Sequence, residues 1–240
     1  MFAAKQIFLG RCAKAAWQNP YVTDGLVAMW DGEWNAGGGV HDASATTWAD
    51  LSPNHYDLTV NITSGNYWVA DALHVTHGAV VPAYRETGIS GICTIEGVFA
   101  NTRISNMASV LVIPPNREIV VSQQSGVWRY ALCYRRPCGV GTDDAYAPGQ
   151  YSGKRMYIAG TFASSAAETL SAGFINGINV GLQSTVWGAN ASTYPVSVGA
   201  RSAWNGVTGT IHSLRLYSRA LTAAELAANY AIDRERFNLP

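Results

Sequence analysis

Residues 209–237 read GTIHSLRLYSRALTAAELAANYAIDRERF, and their reading decides the fold. The first nine residues alternate. Ile211, Ser213, Arg215 and Tyr217 fall on one side of a strand, and His212, Leu214 and Leu216 on the other. The pattern then changes period. Thr222 with Glu225 three residues on forms a capping box, and Leu221 before the cap can meet Leu226 as a hydrophobic staple. A helix is predicted from Ala223 to about Arg234, with Leu226, Ala227, Tyr230 and Ala231 on its apolar face and Asp233-Arg234-Glu235 solvated. No other stretch of the chain carries a comparable helix signal.

Working upstream, residues 25–218 break into short β-like runs with turn residues between them. GLVAMW (25–30) turns at Asp31-Gly32, and Ser52-Pro53-Asn54 separates TTWADL (46–51) from YDLTV (56–60). In GICTIEGVF (91–99), Ile95, Gly97 and Phe99 share one face while Thr94, Glu96 and Val98 share the other. Asn176-Gly177 between two such runs is a hairpin signal, and Asn205-Gly206 is a further turn. Trp30, Trp48, Trp68 and Trp128 sit inside strand-like runs and are expected in the core or half-buried. Composition agrees: of 240 residues only 13% are charged, 24 are Gly and eight are Trp, which suits strands and turns over a charged helical enzyme. Together these make an all-β chain of one domain, residues 24–240, preceded by an arm, residues 1–23.

Charge and patterning exclude several classes. Sixteen basic residues balance sixteen acidic ones, so there is no basic excess for phosphate contacts and no nucleic-acid partner is expected. No run approaches the ~18 apolar residues of a membrane span. At the start, MFAAKQIFLGRCAKAAW, the apolar run Ile7–Gly10 is too short for a signal peptide and is followed at once by Arg11 and Lys14, so the segment reads as retained. It is basic and carries Ile7, Phe8, Leu9, Arg11 and Trp17, the candidate contacts of an assembly arm. The four cysteines form no CxxC, which argues against a zinc site; Cys133 and Cys138 flank a small loop, with their disulfide state open, and Cys93 reads as a buried apolar residue.

The order of features resembles the laminin-G-like jelly-roll family of the concanavalin A-like lectin/glucanase superfamily. The matching segments are GLVAMWDGEWN with its glycine-rich sequel to His41-Asp42, TTWADLSPNHYDLTV, CTIEGVF, GFINGINV and the closing stretch 209–237. The resemblance covers residues 25–237. It implies a two-sheet antiparallel jelly-roll sandwich, concanavalin A-like, with one short C-terminal helix and an N-terminal arm. The superfamily includes enzymes, lectins and structural domains, so function has to come from the site.

No catalytic residues are assigned. Retaining glucanases of this superfamily set paired acids on one strand as E-x-D-x-x-E, and no such string occurs; Glu96 stands alone in its strand. No G-x-S-x-G elbow is present for Ser-His-Asp chemistry. His74 and His77 are three apart, so on one strand they point to opposite faces and cannot grip a common metal. Calcium is the one cofactor considered, with Asp31, Asp42, Asp143 and Asp144 as loop-rim oxygen donors. Trp34, Trp187 and Trp204 lie beside Gly or Asn in predicted loops and are the candidate sugar platforms. The resulting expectation is a non-enzymatic virion accessory protein (capsid decoration, head fibre or tail protein) with weak glycan binding. Its partners would be other virion or self subunits met through the arm. The alternatives are a secreted, extracellular or cell-surface lectin-like module and a glycoside hydrolase with unusual catalytic residues.

Overall fold

The computed structural model describes residues 18–78, 80–86, 89–104, 107–113, 117–124, 127–134, 140–141, 153–162, 170–180, 196–200 and 206–240. The strands are β1 (Leu26–Asp31), β2 (Thr47–Trp48), β3 (Leu58–Val60), β4 (Tyr67–Val69), β5 (Ala72–Val75), β6 (Ala83–Arg85), β7 (Thr94–Ile104), β8 (Met107–Ile113), β9 (Arg117–Gln124), β10 (Val127–Tyr134), β11 (Val140–Gly141), β12 (Met156–Phe162), β13 (Leu170–Ile175), β14 (Ile178–Asn179), β15 (Val196–Val198) and β16 (Val207–Tyr217), followed by helix α1 (Ala223–Phe237). Two antiparallel sheets result. The first runs β14-β13-β12-β7-β16-β5-β4, with β1 beside β5 along the same side of β16; the second runs β11-β10-β9-β8-β15-β6-β3-β2. The expected all-β sandwich with a single C-terminal helix is the fold observed.

The core between the sheets is built from alternate residues of each strand. Ile95 and Phe99 of β7, Met156 and Ile158 of β12, and Leu214 and Leu216 of β16 face Val110, Ile119 and Val121 of the second sheet. Trp30, Trp48 and Trp68 are buried, and each indole N–H donates to a carbonyl, of Tyr56, Asp31 and Ala45 respectively. The Asp50 carboxylate organises the Trp48–Asn54 turn by accepting from the N–H groups of Met29, Ser52 and Tyr56 and from the Ser52 hydroxyl. The motif W-A-D-L-S is thus a turn device.

Asn176-Gly177 forms the expected hairpin turn between β13 and β14, with φ of 47° and 76° at the two positions. Gly209 has another reason to be glycine. A Cβ there would lie 2.0 Å from the Ala100 carbonyl oxygen, at the register shift between β16 and β7.

Helix α1 lies on the outer face of the first sheet and makes a second core there with Tyr21, Met29, Val98, Tyr157 and Tyr217. The capping box is present as read, with Thr222 at the N-cap and Glu225 reciprocating. The helix extends past Arg234 to Phe237, and its buried face is Leu226, Asn229, Asp233 and Phe237. Asp233 was expected in solvent. It is wholly buried because Arg215, projecting from β16 under the helix, supplies the opposite charge. Tyr21, inside the segment read as an arm, is buried in this same layer and donates to Asp233 Oδ1 at 2.6 Å.

Candidate functional site

Among the described residues, polar side chains gather in three places: the charged layer beneath α1, the glycine-rich loop after β1, and the part of the first sheet that α1 leaves uncovered.

The layer beneath α1 is closed. Arg215 Nε donates to Glu96 Oε2 at 2.8 Å and its guanidinium also pairs with Asp233. Tyr157 donates to Glu96 Oε1 at 2.6 Å, and the Asn229 amide donates to Glu96 Oε2 and to the Tyr217 hydroxyl. Burial and the adjacent carboxylate raise the Tyr157 hydroxyl well above its ordinary range. Glu96 and Asp233 share the Arg215 cation, and both are 0% exposed. They hold the helix to the sheet, out of reach of any substrate.

The loop after β1 carries Trp34, Asp31 and Asp42. Trp34 is half-buried, with the Arg236 guanidinium 4.1 Å over its ring, so it offers no bare platform for a sugar. Asp31 is buried and bonded by Arg236 at 2.8 Å, which puts a guanidinium where a calcium ion would have to sit; burial pushes its carboxyl up. Asp42 is exposed and accepts from the N–H and hydroxyl of Ser44. Among the described residues no three His, Cys, Asp or Glu side chains converge as a metal site. His74 and His77 bind separate carbonyls, those of Gly65 and Gly206. Trp187, Trp204, Asp143, Asp144, Cys138 and the arm residues Ile7, Phe8, Leu9, Arg11 and Trp17 lie outside the described residues.

The third place is a built surface. On the outer face of the first sheet, Tyr67 of β4 pairs with His74 of β5, His74 with Thr210 of β16, and Thr210 with Ala100 of β7. Met156 pairs with Phe99, so the antiparallel ladder sets Arg155, one residue earlier, next to Ala100. These five positions cross the sheet as one row, roughly 19 Å long at about 4.8 Å per strand. At one end the rings of Tyr67 and His74 stack, 4.5 Å apart and 16° from parallel, and Tyr67 is 41% exposed. In the middle half-buried Thr210 and buried Ala100 make a low floor. Along the side, Arg155 reaches Asp71 at 2.6 Å, with side-chain exposures of 37% and 28%. His212 stands behind, with Nε2 3.0 Å from the Thr210 hydroxyl oxygen and Nδ1 3.2 Å from the Asp71 carbonyl and 3.5 Å from the Asp71 carboxylate oxygen Oδ2. The hydrogen bond from His212, with help from Arg155, holds the Asp71 carboxyl below its usual range. Arg155 also borders an open cavity of about 540 Å³ with Lys154 and the tail Phe237–Pro240. Its size falls within the range of small-molecule sites.

This row was not read from the sequence. Tyr67 and His74 are seven residues apart in neighbouring strands of no special composition, and Thr210 and Arg155 reach them only through strand order. The one available signal was the alternation of YWV and ALHV, which places Trp68 and Leu73 inward and so Tyr67 and His74 outward.

No family model matches the chain, and no curated protein matches it in sequence. Solved structures do share its fold. One is the sialidase of Trypanosoma rangeli in complex with sialic acid, with a TM-score of 0.58 and 14% identity over 89% of this chain; the chain spans about a third, 33%, of that enzyme. Another is domain 4 of a GH43 extracellular arabinanase from Geobacillus stearothermophilus in complex with arabinotriose, with a TM-score of 0.57 and 16% identity over 88% of this chain and 100% of that domain. At such identity the likeness establishes the sandwich fold. The expectation of a virion accessory protein is corrected: the named matches are a sialidase in complex with sialic acid and an arabinanase domain in complex with arabinotriose. No described helix is long and apolar enough to cross a membrane.

Proposed function

We propose that this chain is a laminin-G-like glycan-binding module that works outside the cell and holds sugar without cleaving it. The observation that carries the reading is the stack of exposed Tyr67 on half-buried His74, set in register with Thr210 beside the half-exposed Asp71–Arg155 pair. A sugar ring presents an apolar C–H face and a rim of hydroxyls. An aromatic wall, a low floor and polar side chains along one edge suit both parts. The fold shared with an arabinanase domain bound to arabinotriose is consistent with this. The burial of Glu96 and Asp233, two acids that share the Arg215 cation, supports binding without cleavage.

Trp187 and Trp204 are further candidates to extend the surface, and residues 1–20 are proposed to join copies of the chain. Single sites of this kind are weak, so joined copies would add avidity. The test is a broad glycan array probed with the multimerised protein, followed by titration of any hit against Tyr67→Ala. Binding that falls at least ~10-fold in the variant, with an unchanged melting temperature, supports the reading. An empty array, or binding indifferent to Tyr67, overturns it.

A further inference from the structure

The hydrogen bonds behind the row fix what it shows to a ligand. A carbonyl oxygen can only accept, so a ring nitrogen bonded to one must carry the proton. His212 Nδ1 faces the Asp71 carbonyl at 3.2 Å. In the neutral ring Nε2 is then an acceptor, and its partner at 3.0 Å, the Thr210 hydroxyl, must donate to it. The proton of Thr210 therefore points inward and its lone pairs are left for a ligand. His74 repeats the arrangement: Nδ1 faces the Gly65 carbonyl at 3.2 Å, so Nε2 is left as an acceptor, with no donor to it among the described residues. The Asp71 carboxylate accepts only.

The nearby guanidinium is already paired. Arg155 gives Nη2 to Asp71 and Nη1 to the Phe237 carbonyl, at 2.6 Å and 3.4 Å. Three of its five N–H groups remain, but the Asp71 carboxylate already balances the guanidinium's charge, so an anionic group would reach them only beside that carboxylate. Lys154 is exposed, and a solvated ammonium offers an anion little.

We infer that the middle of the row, His74 and Thr210 with Asp71 beside them, is an array of acceptors, and that its ligand class is neutral, hydroxyl-rich sugar recognised through the protons of its hydroxyl groups, with carboxylated or sulfated sugars disfavoured. This rests on the glycan-binding reading and adds the polarity of the site to it. An acidic sugar brings acceptors to face acceptors, beside an ion pair with no positive charge to spare for it. A neutral sugar brings a hydroxyl proton to each of Thr210, His74 and Asp71.

The test is calorimetric titration of the full chain at pH 8 with two ladders of equal length, neutral arabino-oligosaccharides and galacturonate oligosaccharides. The expected result is tighter binding of the neutral ladder. Thr210→Val keeps the shape and removes the acceptor, and should weaken that binding about 3- to 10-fold, the range for one neutral hydrogen bond. Thr210→Ser should restore it. Should Thr210→Val lower the melting temperature, Asp71→Asn serves instead, and the gap between the two ladders should narrow. Tyr67-dependent binding that favours galacturonate overturns the acceptor array and leaves the glycan reading standing. Binding of neither ladder overturns both.

Discussion

Arg215 Nε stands 2.8 Å from Glu96 Oε2, and both side chains are wholly buried although they lie 119 residues apart. With Asp233 on the guanidinium's other edge, one cation holds two anions between the first sheet and α1. Removing the cation leaves two buried charges without a counter-ion. Arg215→Met should destabilise the protein by about 3–5 kcal/mol, the usual cost of breaking a buried ion pair from one side. Urea unfolding followed by tryptophan fluorescence measures it, and a loss under ~1 kcal/mol would mean that α1 is held by its apolar face alone.

Tyr21 donates to Asp233, and Arg236 donates to Tyr21 at 2.5 Å, so one hydroxyl links the chain before β1 to the end of α1. Tyr21→Phe should cost about 1–3 kcal/mol, the range for leaving a buried charged acceptor short of a donor. Hydrogen exchange should show the loss concentrated in α1. A loss spread evenly over the sandwich would contradict the link.

The capping box makes a pH-dependent prediction. Hydrogen bonds from Arg219, then from the Thr222 N–H, lower the Glu225 carboxyl from about 4.5 to about 2. A carboxyl whose folded value lies below its unfolded one stabilises the fold above the unfolded value, and that contribution is lost as pH falls towards the folded one. Stability should therefore decline between about pH 4.5 and pH 2, and Glu225→Gln should flatten that part of the curve. Thr222→Ala should cost about 1 kcal/mol at neutral pH. Thermal unfolding of both variants across this pH range is the check.

Gly209→Ala places a methyl group 2.0 Å from the Ala100 carbonyl oxygen, in the ladder that carries Thr210. It should destabilise by about 2 kcal/mol or more, as overpacking against backbone does. Tyr67→Ala, on an exposed edge, should stay within about 0.5 kcal/mol of the parent. The two variants separate damage to the sheet from damage to the ligand surface, and a melting temperature unchanged in Gly209→Ala would show that the two strands can shift apart.

Hydrolysis is tested directly. Purified protein should release no reducing sugar from arabinan or β-glucan, because Glu96 and Asp233 are sealed beneath α1. Release that disappears in Glu96→Gln would show that the helix lifts to admit substrate.

The sequence by itself determined whatever depends on near neighbours along the chain. A two-residue period makes a strand, Asn176-Gly177 makes a hairpin, and Thr222 with Glu225 starts a helix, because in each case the interacting groups lie within a few residues of one another. Which alternate residues of β7 face inward was also legible, since Ile95 and Phe99 are apolar and Glu96 is not. The alternation in β16 was read as unbroken, and that failed at one point. A register shift between Ile211 and Ser213 turns Ile211 to the same side as Leu214 and Leu216, so it joins the inner core. A bulge depends on the partner strand, and the partner β7 lies some hundred residues away in the chain. The burial of Asp233 and the row from Tyr67 to Arg155 have the same origin. Only the tertiary structure decided them, because charge pairing and ligand surfaces depend on which strands lie side by side, and strand order carries no local signal.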